Sequence, residues 1–196
     1  MNENGKIIQW YPGHMAKTKK EISNIVSLVD IVIEVIDSRI PLSSKIEDVD
    51  KLIKDKPKIL IMTKKDLCDV SETNKWKKYY EEKGYKVVIV DLKNNSSLNE
   101  IINLTNELME ERQNKRVAKG LNKKDIKVLV LGIPNVGKST LINRMVGKNV
   151  AVTGNNPGVT KNLSWLKTKS NILLLDSPGI LWPKLSNEIG ALNLAS

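Results

Sequence analysis

The run GIPNVGKS, Gly132 to Ser139, sets two glycines, a lysine and a hydroxyl at the spacing G-x-x-x-x-G-K-[ST] of a phosphate-binding loop. Gly132 and Gly137 free the backbone, so that successive N–H groups can turn toward an anion at the start of the following helix. The candidate cradle is Pro134, Asn135, Val136, Gly137, Lys138, Ser139 and Thr140. Lys138 would reach the β and γ phosphates and is a candidate catalytic residue, and the Ser139 hydroxyl would bind Mg²⁺. Downstream, ILLLDSPG ends an apolar run with Asp176 and then Gly179. An acid there can hold Mg²⁺ through water, and the glycine N–H can meet the γ phosphate. Between the two lies GNNPGVTK, whose composition suits a switch loop, with Thr160 as the hydroxyl that closes on the metal. Thr153 and Thr168 offer the same group nearby, so that choice stays open.

A second constellation comes earlier in the chain. TKKD, Thr63 to Asp66, follows the apolar run KILIM, as a loop at the C-terminal edge of a sheet should. The Asp66 carboxylate can accept from the ring N–H and exocyclic amine of guanine, a donor pair that adenine lacks. Lys64 would pack its stem along the base. Thr63 stands where guanosine-binding sequences usually carry asparagine, which removes one amide contact. Asp91, Leu92 and Lys93 align with the companion loop, where the backbone N–H of Leu92 would serve the base. The alternative for TKKD is a charged surface turn. In ordinary GTPases the phosphate loop comes first and the base-reading motif late; here the order is rotated.

These residues need a sheet to hold them. Apolar runs predict strands at Ile31 to Ile36, Lys58 to Met62, Tyr85 to Val90, Ile126 to Leu131 and Ile172 to Leu175. Helices are expected over Ala16 to Leu28, Lys45 to Lys54, Thr73 to Lys83, Leu98 to Arg116 and Thr140 to Val146. Leu163 to Thr168 should form an antiparallel edge hairpin with the last strand, and Asn114 to Lys124 an exposed basic connector. The alternation predicts an α/β domain, a mostly parallel sheet with helices on both faces, spanning residues 1–185.

Composition narrows the setting. A net charge of +10, with 32 Lys and Arg, points to a polyanionic partner or to a basic surface kept for solubility. A single cysteine, Cys68, excludes an internal disulfide and a multi-cysteine zinc site, and suits a reduced cytosolic protein. No apolar run approaches the roughly 18 residues of a membrane span, so no membrane partner is expected.

Taken together, WYPGHMAKTKKEI (Trp10 to Ile22), VIDSRIP (Val35 to Pro41), GIPNVGKSTLINR, PGVTK and DSPGILWP resemble the circularly permuted GTPases. The likeness is strongest to the YlqF/RbgA ribosome biogenesis GTPase A family and covers nearly all of Trp10 to Pro183. It implies a circularly permuted Ras-like P-loop domain that hydrolyses GTP with Mg²⁺, and that binds the precursor of the large ribosomal subunit late in its assembly. A monomer that contacts rRNA is expected. The family continues into a helical C-terminal domain, of which residues 186–196 would be the start. Sister families with an OB-fold or a cysteine-rich zinc module do not fit the short N-terminal lead or the lone cysteine.

Two further expectations follow. Asn135 lies where an amide oxygen helps hold K⁺ against the phosphates in related GTPases, unless it only caps the loop. The position after D-x-x-G, where many GTPases carry a water-orienting glutamine, is Ile180, which has no polar group. His14, the only histidine, sits in the turn-forming YPGHM, and the family resemblance points to it as the group that orients water. A structural or rRNA-contacting histidine is the other reading. Three functions remain: a GTP-hydrolysing assembly factor, slow alone and stimulated by the ribosome; a nucleotide-sensing RNA-binding module with negligible hydrolysis; and a P-loop ATPase, against which Asp66 argues.

Overall fold

Runs of Ile, Val and Leu without alternation leave no wet face, so such strands must be covered on both sides. The computed structural model describes residues 23–46, 49–53, 55–93, 96–148 and 165–176. Its strands are β1 (Ile31–Asp37), β2 (Lys58–Thr63), β3 (Lys86–Ile89), β4 (Ile126–Leu131), β5 (Trp165–Lys167) and β6 (Ile172–Asp176). They form one sheet in the order β3-β2-β1-β4-β6-β5. All neighbours are parallel except β5, which runs antiparallel to β6 at the edge. The expected edge hairpin is therefore present, and β4 has the bounds its apolar run predicts.

Four α-helices are described: α1 (Val49–Ile53), α2 (Val70–Glu82), α3 (Ser96–Val117) and α4 (Lys138–Val146). Side chains alternate along β2. Leu60 and Met62 join the cluster closed by Tyr80 of α2, while Ile59 and Ile61 belong to the main core with Ile101 of α3 and Leu141 of α4. Tyr80 is fully enclosed because its hydroxyl donates to the Pro41 carbonyl at 2.9 Å. Asp69 caps α2 by accepting from the Glu72 N–H at 2.9 Å, a contact worth about 1 kcal/mol.

Several boundaries differ from the sequence reading. The helix expected over Lys45 to Lys54 is only Val49–Ile53, because residues 41–45 form turns whose Ser44 hydroxyl donates to the Ile40 carbonyl at 2.8 Å. The helix expected over Ala16 to Leu28 is described from Ser23 and tightens to 3₁₀ at Val26–Leu28. The basic connector begins later than expected, since α3 continues through Val117. Gln113 explains the rest of that link: its amide donates to the Lys124 carbonyl at 2.7 Å and accepts from the Lys124 N–H at 3.3 Å. Arg112 meets Asp30 at 2.7 Å. The segment joining α3 to β4 is thus tied at both ends.

The chain reverses direction across the sheet at β4. Strands β1 to β3 lie to one side of it and β6 and β5 to the other, so β4 stands at a topological switch point. In open parallel sheets ligands bind beyond the C-terminal ends of strands at such a point.

Candidate active site

The phosphate loop leaves the C-terminal end of β4 and closes into the first turn of α4. A Cβ on Gly132 would sit 2.6 Å from the Val35 carbonyl oxygen of β1, so only glycine passes that strand. Gly137 adopts φ +95 and Asn135 φ +64, both in the left-handed region that turns N–H groups inward. Lys138 is 7% exposed, and its ammonium donates to the Ile133 carbonyl at 2.8 Å, which folds the side chain back across the loop. Val136 is buried, Pro134, Gly137 and Ser139 are half-buried, and Asn135 and Thr140 are exposed.

Thr63 joins this loop to the TKKD turn. It is fully buried at the end of β2, with its hydroxyl 2.6 Å from the Val136 carbonyl and 3.0 Å from the Ile36 carbonyl. The short hydroxyl that stands in for asparagine is thus spent on backbone, including that of the phosphate loop. The companion loop approaches from the same edge. A Cβ on Gly137 would come within 3.0 Å of Leu92 Cδ1, so Leu92 presses directly on the phosphate loop. Asp91 shapes its own turn by accepting from the Lys93 N–H at 2.8 Å.

Lys64 and Asp66 are held differently. Lys64 has φ 58 and ψ 30, an uncommon conformation for a residue with a side chain. Its ammonium lies 2.7 Å from Asp37 Oδ2. The Asp37 carboxylate, 3% exposed, also receives the Arg39 guanidinium, with Nε at 3.1 Å from Oδ1 and Nη2 at 2.9 Å from Oδ2. Burial raises the Asp37 pKa, but the hydrogen bonds from Arg39 and Lys64 outweigh it and leave the group below the ordinary aspartate value. Asp66 lies on the 3₁₀ turn Lys65–Leu67 with its side chain 22% exposed, and meets the Lys93 ammonium at 2.5 Å. That hydrogen bond holds Asp66 below the usual carboxylate range and raises Lys93.

Asp37 and Arg39 are the residues that the chemical reading of the sequence did not single out. The signal was present, because Asp37 ends an apolar strand just as Asp176 does. Asp176 closes β6 and pairs with Val130 of β4, which sets its backbone beside the root of the phosphate loop. His14, Thr160 and Gly179 lie outside the described residues, as do residues 186–196.

The donor types suit a hard cation. Ser139 lies in the first turn of α4, and Asp176 ends the strand paired with β4, so a residue of each type stands at the same end of the sheet. Among the described residues no cluster of three His, Cys, Asp or Glu side chains forms a cage of its own. Such a sparse oxygen set fits Mg²⁺, which keeps waters and takes phosphate oxygens.

Comparison with known proteins places this arrangement. Residues 127–195 match the family described as 50S ribosome-binding GTPase. Over 190 residues the chain is 45% identical to ribosome biogenesis GTPase A of Bacillus licheniformis, an alignment covering 97% of this chain and 67% of that protein. The chain belongs to the ribosome biogenesis GTPase A family. The Thermotoga maritima member is 32% identical over 92% of the chain and 62% of its own length. The crystal structure of GNP-bound YlqF from T. maritima superposes with a TM-score of 0.63 at 28% identity, covering 91% of this chain and 64% of that one. Its GDP-bound form gives 0.61 at 26% identity. The chain therefore spans about two thirds of the length of its ribosome biogenesis GTPase A relatives. Family and fold agree on a circularly permuted P-loop GTPase domain with a role in ribosome assembly.

Proposed function

We propose that this chain binds GTP with Mg²⁺ at the C-terminal edge of its sheet, hydrolyses it slowly alone, and couples the cycle to the large ribosomal subunit precursor. One observation carries the reading: the Thr63 hydroxyl, 2.6 Å from the Val136 carbonyl, stitches the base-reading loop to the phosphate loop. That link supports reading Asp66 and the cradle as parts of one site. Asp66 would accept from guanine, Lys64 and the Leu92 N–H would flank the base, and Lys138 would neutralise charge on the β and γ phosphates. Ser139, Thr160 and Asp176 would hold Mg²⁺, which supplies positive charge where the transferred phosphoryl group gathers negative charge. The Gly179 N–H would meet the γ phosphate, and His14 would orient the attacking water. Asn135 would help to hold K⁺.

The basic surface supports an rRNA partner. Lys115, Lys119, Lys123 and Lys124 are exposed at the end of α3 and along the connector. Half-buried Arg116 would join them, as would Lys17, Lys19 and Lys20, which lie outside the described residues. Among the described residues no helix is long and apolar enough to cross a membrane. We read the protein as a cytosolic monomer.

Nucleotide titration tests the core of this reading. The chain should bind GTP and GDP at least about 100-fold more tightly than ATP, since adenine lacks the donor pair that guanine offers the Asp66 carboxylate. Asp66→Asn should turn the preference from guanine to xanthine nucleotides. Equal affinity for ATP and GTP would refute the assignment. Binding to large subunits should weaken steeply with salt, because each phosphate contact releases counterions.

A further inference from the structure

The two base-side lysines differ in what holds them. Lys64 is anchored to a buried carboxylate that Arg39 also grips. Lys93 is 76% exposed, and its ammonium rests on Asp66, the carboxylate assigned to guanine. Its backbone is fixed by the turn at Asp91, by Leu92 packed against the core, and by Arg144 of α4 reaching the Lys93 carbonyl at 3.5 Å. The ammonium is thus delivered to Asp66 from a fixed loop, on a flexible stem.

We propose that Lys93 is a displaceable competitor of guanine for Asp66: before a nucleotide binds, its ammonium on Oδ2 neutralises the carboxylate and weakens it as an acceptor for the base. Guanine offers two parallel donors, and pairing both requires both carboxylate oxygens. Oδ2 already accepts from Lys93 at 2.5 Å. Each oxygen can take a second donor, so the base does not need the lysine gone; it gains when the ammonium moves off and leaves the full negative charge to its two donors. The ion pair is exposed and open to water, so the exchange is mild and reversible, and the lysine tunes affinity without blocking the site. Salt should weaken the competitor, since the pair is screened. This inference rests on the guanine-reading role of Asp66.

The test is GDP affinity of the full chain and three variants at low and high salt. Lys93→Met keeps the stem and removes the charge. Lys65→Met, on the exposed neighbouring turn, reports the general cost to an anionic ligand of losing one positive charge. Asp66→Asn checks the underlying reading with XDP. Lys93→Met should bind GDP about two- to fivefold more tightly than Lys65→Met at low salt, with the gap closing at high salt. GDP affinity of Lys93→Met equal to or below that of Lys65→Met at both salts overturns the proposal. If Asp66→Asn switches to XDP while Lys93→Met gains nothing, only the competitor role fails. If Asp66→Asn keeps the wild-type preference for GDP, both the role of Asp66 and the inference built on it fall.

Discussion

Glu34 and Asp37 lie on one strand, three residues apart, and are almost equally enclosed, at 0% and 3% side-chain exposure. Both have lysines beside them, yet their carboxyls move in opposite directions. Glu34, in mid-strand, accepts from the Ile46 N–H at 2.9 Å, but its other oxygen meets Lys45 only at 3.4 Å and Lys58 at 3.7 Å. Lys58 is shared, since it also pairs with Asp50 and lies 3.9 Å over the Tyr85 ring. Burial wins there, and the Glu34 pKa rises above the ordinary value. Asp37, at the strand's end, has hydrogen bonds from Arg39 and Lys64 that overcome burial. Burial pushes both carboxyls upward, and the number of directed donors at hydrogen-bond distance decides whether that push is overcome. The mid-strand acid braces the loop at Ile46; the edge acid fixes Lys64, a side chain of the proposed nucleotide site.

The sharpest way to break this contrast is to remove each acid. Asp37→Ala leaves Lys64 and Arg39 without their counter-ion. It should lower GDP affinity about 10- to 100-fold and stability by about 1–3 kcal/mol, less than for a sealed pair because both cations reach water. Glu34→Gln keeps an acceptor for Ile46 and should change GDP affinity by less than about twofold. Isothermal titration and urea unfolding measure both. If Glu34→Gln weakens GDP as much as Asp37→Ala does, the division between brace and site is wrong.

That division was only partly legible in the sequence. The five apolar runs gave strands within one or two residues of their bounds, because parallel strands buried on both faces must be apolar throughout. The phosphate loop was legible because its chemistry is local: eight consecutive residues, two of them glycines that geometry requires. For Asp37 only its place at the end of an apolar strand was legible; its pairing was not, because Lys64 lies on the next strand's loop in a left-handed turn. Glu34 looked like a charge within a strand, since its ion partners come from β2 and the turn before α1. The helix α3 was legible to within two residues at each end, but the Gln113 clamp on Lys124, eleven residues away, has no local signature.

A middle-sized effect would sharpen the role of Asp37. If it acts by holding Lys64, then Lys64→Met and Asp37→Ala should not add. The double variant should lose little more GDP affinity than the worse single one, giving a coupling of about 0.5–3 kcal/mol. Additive losses would mean that Asp37 serves the site through Arg39 or through folding alone.

The smallest effect concerns pH, and its sign separates the two acids most directly. Asp37 has a folded pKa below its unfolded value of about 3.9, so its stabilisation is present above that pH and is lost as pH falls through the folded pKa. Glu34 has a folded pKa above its unfolded value of about 4.3, so its contribution is fully present below that pH and fades as pH rises through the folded pKa. Variants that cannot ionise isolate each term. From pH 7 down toward pH 4, wild type should gain stability relative to Glu34→Gln. Below about pH 4 it should lose stability relative to Asp37→Asn, since the unfolded chain then takes up a proton that the folded Asp37 resists. Urea unfolding of the three proteins across that range gives two difference curves of opposite slope. Curves of the same sign would show that one carboxylate has been assigned the wrong balance between burial and donors, and Glu34, with the longer contacts, is the one whose bracing role would then have to be redrawn.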